Sequence, residues 1–298
     1  MNNKILITGS TGFVGRNLVP KLVAEGFEIL EITRDISKSR NLFSSTTTKI
    51  QSNDTDFKEK IVKFSPNIVI HLASYLTSSD DWEDVKKLID SNIVFLSKVL
   101  DSVSSSNLKL FINTGTFAEY YNGNDELLPA YFYAATKTAS RSILDYYSNA
   151  YDFKQITIVP YTIYGGKDSQ KKIIDIIHDS TLSIKPIDLT PGDQVLDFIH
   201  IDDVTDFYAL VIKSINKLPE KVVFKLGTGI GYNLKHIASF IEEIKNVKTN
   251  INWGGREYRK SDVMYAVSNI SVIKSILEWE PKISLKEGIR SYINNKYY

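Results

Sequence analysis

Lys4-Ile-Leu-Ile-Thr-Gly9-Ser-Thr-Gly12-Phe-Val-Gly15 (KILITGSTGFVG) is the stretch on which the fold is decided. An Ile/Leu-rich run that stops at a glycine suits a strand buried on both faces. Behind it, Phe13–Glu25 carries Val14, Leu18, Leu22 and Val23 at helical spacing. Gly26 stands where a helix stop belongs. A strand, a glycine-rich turn and a helix in that order let the backbone bend sharply and approach a diphosphate. The helix start then offers free N–H groups and a partial positive charge. The spacing is G-x-x-G-x-x-G rather than G-x-G-x-x-G, and three glycines by themselves mark only a tight turn. Their position at the head of an alternating chain points to a nucleotide cofactor.

The alternation continues outward. Glu28–Thr33, Asn67–Leu72, Leu108–Asn113 and Gln155–Val159 read as strands; Phe57–Phe64, Trp82–Val103 and Ala134–Tyr151 read as helices. Strands separated by helices of this length form βαβ units, so the expected fold is α/β, a doubly wound parallel (Rossmann) sheet. Past Gly165–Gly166 the rhythm weakens. Phe198–His200 and Val222–Leu226 read as further strands, and 232–298 as mostly helix. The expected organisation is a dinucleotide-binding domain from 1–165 plus about 198–228, with a smaller, mostly helical substrate lobe from 166–197 and 229–298.

Composition narrows the function. The 298 residues hold 36 basic and 35 acidic side chains, which gives no electrostatic reason for a nucleic-acid or anionic-membrane partner. The lack of cysteine excludes disulfides, thiolate catalysis and Cys-ligated zinc. The four histidines, His71, His178, His200 and His236, have no metal-ligand spacing, and no metal is expected. Apolar runs such as Ile68–Leu72 fall far short of the ~18 residues that span a bilayer. Residues 1–8 show no secretory leader, so a cytoplasmic location is expected.

The second strand ends Thr33-Arg34, where an acidic residue would suit the ribose hydroxyls of NAD. An arginine there matches a 2′-phosphate in charge and bidentate geometry, so NADP(H) is favoured, with NAD(H) possible because Asp35 is adjacent.

Taken together, Gly9–Gly15, Asn53-Asp54, His71-Leu-Ala73-Ser74, Asn92, Tyr133-x-x-x-Lys137, Tyr164-Gly165 and Asp197-Phe-Ile-His-Ile-Asp202-Asp203-Val204 resemble the extended short-chain dehydrogenase/reductases over essentially the whole chain. The likeness is to their sugar-nucleotide branch of epimerases, dehydratases and reductases. It implies cofactor contacts at Gly9, Thr11, Gly12, Phe13, Val14, Arg34, Asp54, Leu72, Ala73, Ser74, Asn92, Thr114, Tyr133, Lys137, Pro160, Thr162 and Ile163. Substrate contacts are implied at Ser74, Thr116, Tyr133, Tyr161, Arg256 and Arg259. Tyr133 and Lys137 share a helix face; an ammonium beside a phenol lowers its pKa and lets it exchange a proton with a sugar oxygen. Tyr292–Lys296 repeats the pattern near the C-terminus without the family's position. The third catalytic member falls on Thr116, with Thr114 as alternative.

Within the family, dehydratases need an acid and a base directly after this threonine, and Phe117-Ala118 supply neither; Glu119 comes one position late. Combined 3,5-epimerase/reductases need a cysteine. What remains is 4-keto reduction, or 4-epimerisation with retained NAD; a non-catalytic NADP-binding regulator is a third possibility. The segment Trp253-Gly-Gly-Arg256-Glu-Tyr-Arg259-Lys-Ser-Asp262-Val-Met264 is similar to bacterial NDP-4-keto-6-deoxyhexose 4-reductases of the CDP-abequose and CDP-paratose type. The family's arginine before Asp197-Phe198 is Leu196 here, and its Arg-x-x-Asn is Val159-Pro-Tyr-Thr162. Substrate phosphate binding is thereby left to Arg259, Arg256 or lysines such as Lys167. A homodimer through helices 85–103 and 134–150 is the family's expectation.

Overall fold

The computed structural model describes residues 4–43, 46–166 and 171–297, with side chains through Asn294. In chain order the strands are β1 (Lys4–Thr8), β2 (Glu28–Thr33), β3 (Thr48–Gln51), β4 (Ile68–His71), β5 (Leu110–Thr114), β6 (Lys154–Pro160), β7 (Thr162–Tyr164), β8 (Ile187–Leu189), β9 (Val195–His200), β10 (Lys221–Leu226), β11 (Gly231–Asn233), β12 (Ile251–Trp253) and β13 (Tyr265–Ala266). The helices are α1 (Phe13–Ala24), α2 (Ile36–Phe43), α3 (Phe57–Phe64), α4 (Trp82–Ile89), α5 (Phe95–Val103), α6 (Phe132–Tyr151), α7 (Ile173–Ser180), α8 (Ile201–Lys213), α9 (Leu234–Lys245), α10 (Ser271–Leu277) and α11 (Leu285–Tyr297).

Seven parallel strands form the main sheet in the order β10-β6-β5-β4-β1-β2-β3. Successive side chains on a strand point to opposite faces. Ile5 and Ile7 therefore join one core with Leu18, Leu22, Phe207 and Val211 of α1 and α8, while Leu6 joins the other with Ile61, Leu96, Leu100 and Leu144 of α3, α5 and α6. The expected doubly wound sheet is what the chain forms.

The order reverses between β1 and β4, because the chain leaves β1 toward β2 and returns on the far side to make β4. Ligands of such sheets bind in the crevice beyond the strand ends at this switch point. The Gly9–Gly15 turn and the Leu72–Ser74 loop border it, and the ends of β5 and β6 add Thr114–Thr116 and Tyr161.

Sequence reading merged and missed some elements. Trp82–Val103 is two α-helices joined by a π turn, Asp90–Val94. The basic stretch after Arg34 forms α2, nucleated by Asp35 Oδ1, which accepts from Lys38 N at 3.0 Å. The strand at Phe198–His200 starts at Val195 and pairs with β7, β11 and β13, outside the main sheet. A third core gathers Ile177, Phe198, Ile237, Ile241 and Ile289 from this sheet and α7, α9 and α11. Among the described residues no helix is long and apolar enough to cross a membrane.

Candidate active site

The turn after β1 separates its glycines by purpose. Gly9 has φ +72°, and a Cβ there would lie 2.7 Å from Ala73 N; at Gly15 it would lie 2.4 Å from Gly9 O. Both are glycine because backbone packs against them. A Cβ on Gly12 would meet only Gly9 O, at 3.2 Å, so this position borders open space at the start of α1. Among the described residues no side chain caps that start, and Ser10 Oγ is buried without a partner. Open N–H groups, an uncrowded glycine and an orphaned hydroxyl fit a bound diphosphate. Phe13 and Val14 follow, half-buried; Lys172 places its ammonium over the Phe13 ring and on Ile163 O at 3.2 Å.

At the end of β2, Arg34 is exposed and makes no hydrogen bond or ion pair among the described residues. Asp35 is engaged in capping α2. Asp54 Oδ2 accepts from Gln51 N at 3.1 Å and from Lys60 Nζ at 2.7 Å, and Lys60 holds its carboxyl below the usual range.

Opposite the turn, Asn92 is buried in the π turn, with both side-chain atoms in use. Oδ1 accepts from Tyr75 N (2.9 Å) and Ser74 Oγ (3.0 Å); Nδ2 donates to Tyr75 O (3.1 Å) and Thr136 Oγ1 (2.9 Å). It straps the loop after β4 to α6, the helix bearing Tyr133 and Lys137. A single π turn aims one side chain inward without ending the helix. The Asn92 side chain thus grips the site's own backbone.

Tyr133 is buried, stacked on Tyr131, with the Ser74 hydroxyl beside its phenol. Burial raises its pKa, outweighing the lowering by Ser74. The expected dominance of a neighbouring ammonium is therefore reversed, because desolvation is the larger effect at this depth. Lys137, 3% exposed, has no direct partner for its ammonium among the described residues, and burial lowers its pKa to about 8. Tyr292 donates instead to Asp175 Oδ1 at 2.7 Å, away from this cleft; the Lys296 side chain lies outside those described.

Thr116 caps a short 3₁₀ turn, Phe117–Glu119: its Oγ1 accepts from Ala118 N at 3.3 Å and its own N–H donates to Glu119 Oε1 at 2.8 Å. Thr114 shares a hydrogen bond with Tyr208 at 2.8 Å. Tyr161 is buried and stacks on Phe117. Pro160, Thr162 and Ile163 lie half-buried at the end of β6 and in β7, Thr162 and Ile163 registered against Phe198 and Ile199.

From the C-terminal part, Arg259 reaches across to this region. Its Nη1 donates to Ser78 Oγ at 2.6 Å, and its charge acts on Tyr131, the ring stacked on Tyr133. Arg256 is exposed beside β8, its backbone on Leu189 O, and is not brought to Tyr133 by any contact. Lys167 lies outside the described residues. Sequence reading passed over Arg141, which lies one turn beyond Lys137 and pairs with buried Glu119 at 2.9 Å; the four-residue spacing was the available signal.

A parallel sheet with a glycine turn at its switch point, a Tyr-x-x-x-Lys helix and a threonine just past a strand end invites comparison with known proteins. Residues 5–227 match the family described as "NAD dependent epimerase/dehydratase family". The chain belongs to that family. The CDP-abequose synthase of Yersinia pseudotuberculosis is 29% identical over 97% of this chain and 99% of its own. The UDP-glucose 4-epimerase of Mycolicibacterium smegmatis is 23% identical over 96% of each. In structure, the UDP-glucuronic acid 4-epimerase of Bacillus cereus, solved with UDP-glucuronic acid and NAD, superposes with a TM-score of 0.87 at 20% identity, covering 99% of this chain and 100% of that one. The family resemblance read from the motifs is borne out. Among the described residues, no three His, Cys, Asp or Glu side chains gather to hold a metal ion.

Proposed function

We propose that the chain reduces the C4 ketone of a nucleotide-diphosphate-linked 4-keto-6-deoxyhexose with NADPH, as a step toward deoxysugars for cell-surface polysaccharide. The observation that carries this reading is the Tyr133 phenol, buried beside Ser74 and one turn from Lys137, with its pKa pushed up by burial. A phenol kept protonated at neutral pH is what ketone reduction requires at the oxygen.

The glycine turn, Leu72–Ser74, Thr114 and Pro160–Ile163 would hold the dinucleotide, and Lys137 its nicotinamide-side ribose. When bound, NADPH supplies the hydride to C4. Tyr133 donates the proton to the carbonyl oxygen, Thr116 and Ser74 orient that oxygen, and Arg259 holds the substrate diphosphate by charge-assisted hydrogen bonds. Asp54 fits the adenine end, where Oδ1 has no partner among the described residues while Oδ2 is engaged.

Three observations support a reductase over its relatives. Arg34, exposed and without a partner among the described residues, suits a 2′-phosphate, and NADPH must exchange at each turnover. Phe117 and Ala118 offer no acid or base for dehydration, and Glu119 is committed to Thr116 N and Arg141. The 29%-identical relative is named a CDP-abequose synthase. The two-lobe division set out above and a homodimer through α4–α6 belong to the same reading, the latter supported by exposed Val94 and Tyr146 on those helices.

A second reading, NAD-retaining 4-epimerase, is favoured by the 23%-identical UDP-glucose 4-epimerases. Purified protein decides between them. Release of its cofactor by acid, with identification of the nucleotide, should yield little bound NAD; stoichiometric NAD with cofactor-independent C4 epimerisation would replace this reading by the second.

A further inference from the structure

Glu119 is fully buried, and it joins two elements that chain connectivity leaves apart. Oε1 accepts from Thr116 N at 2.8 Å, on the loop after β5. Oε2 accepts from Thr138 Oγ1 at 3.3 Å and pairs with Arg141 Nε at 2.9 Å, both on α6. Gly115 makes room for it, since a Cβ there would lie 2.6 Å from Oε1. Arg141 is fixed in turn by the Tyr120 hydroxyl at 3.0 Å and by the face of that ring.

We propose that Glu119 is a positioning residue, whose carboxylate fixes the Thr116 loop against the Tyr133–Lys137 helix and supplies the counter-charge to the buried Lys137 side chain. Calling it a positioning residue rests on the function proposed above; the electrostatic coupling itself does not.

Among the described residues, the charges that act on Lys137 are few. Glu119 approaches from the 3₁₀ turn and favours its charged form, Arg141 on the same helix opposes it, and burial opposes it most. His71 on β4 also feels Lys137, but burial keeps that imidazole neutral. Glu119 is thus the anion that offsets a desolvated cation. Removing a compensating charge at such depth moves a pKa by ~1 unit or more.

The test uses the full chain without ligands, labelled with ¹⁵N-lysine, the Lys137 ammonium resonance being assigned by its loss in Lys137→Met. In the unaltered protein its titration midpoint should lie near 8. In Glu119→Gln, which keeps an acceptor for Thr116 N, the midpoint should fall by ~1 unit or more, with the alkaline limb of the kcat profile moving the same way. A merely structural loosening would hydrate Lys137 and raise the midpoint. An unchanged or raised midpoint overturns the proposal. If that variant does not fold, Arg141→Gln is read instead: an upward move supports the proposal and no move overturns it. Because the titration needs neither substrate nor cofactor, its outcome is separable from that of the Tyr133 variant.

Discussion

Asn92 Nδ2 donates to Thr136 Oγ1 at 2.9 Å, and the Thr136 hydroxyl donates in turn to the backbone carbonyl of Tyr133 at 2.7 Å. One buried amide, through Thr136 and the Tyr133 backbone carbonyl, thereby sets the phenol-bearing helix against the loop that carries Ser74. Asn92→Ala should leave these partners unsatisfied and cost about 1–3 kcal/mol. Denaturant unfolding with an unchanged m-value, together with a fall in kcat, checks this.

Arg34 is the exposed cation at the end of β2, with no partner among the described residues. Replacing it with Asp should raise KM for NADPH by about 10- to 100-fold, the worth of one or two charge-assisted bonds. KM for NADH should change far less. Equal changes with both cofactors would remove the assigned role.

The glycines of the first turn should behave differently. Gly15→Ala drives a methyl into backbone and should destabilise by about 1–3 kcal/mol. Gly12→Ala meets one oxygen only. It should unfold closer to the unaltered protein yet bind NADPH more weakly, as calorimetry of unfolding and of cofactor titration would show.

His71 is buried, shares a hydrogen bond with Thr8 at 3.0 Å, and has its pKa lowered to about 3, by burial first and by Lys137 second. In the unfolded chain it takes up its proton near pH 6.5. Between those values the unfolded state binds the extra proton, so stability falls as pH drops from 6.5 toward 3, by up to about 1.4 kcal/mol per unit from this group. Comparing unfolding midpoints at pH 7 and 5 for the protein and for His71→Gln should show a steeper decline in the former.

Tyr133→Phe should lower kcat by ~10²–10⁴, the worth of a general acid, while cofactor affinity holds. A loss of only a few-fold would place the proton donor elsewhere.

The sheet was legible because β1, β4 and β5 are continuous apolar runs with period-two exchange between two cores, a pattern few other folds share. Tyr133 and Lys137 were legible through position, which Tyr292 lacked. The π turn at Asp90–Val94 was not, since its residues carry helical periodicity on both sides and the extra residue leaves no mark in composition. In the sequence Glu119 reads only as a dehydration acid or base one position late, and Arg141 as an ordinary surface charge; only the chain's return through α6 buries them together. Arg256 and Arg259 lie three apart in an irregular segment, and nothing local told which would reach the Tyr131–Tyr133 side.

The most direct measurement mixes the protein with NADPH and, in turn, CDP-, dTDP- and GDP-linked 4-keto-6-deoxyhexoses, and follows the reduced-nicotinamide absorbance band. With one of them, NADPH should be consumed mole for mole as the C4 ketone becomes a hydroxyl. No consumption with any ketone, alongside interconversion of saturated C4 epimers without added cofactor, would contradict it.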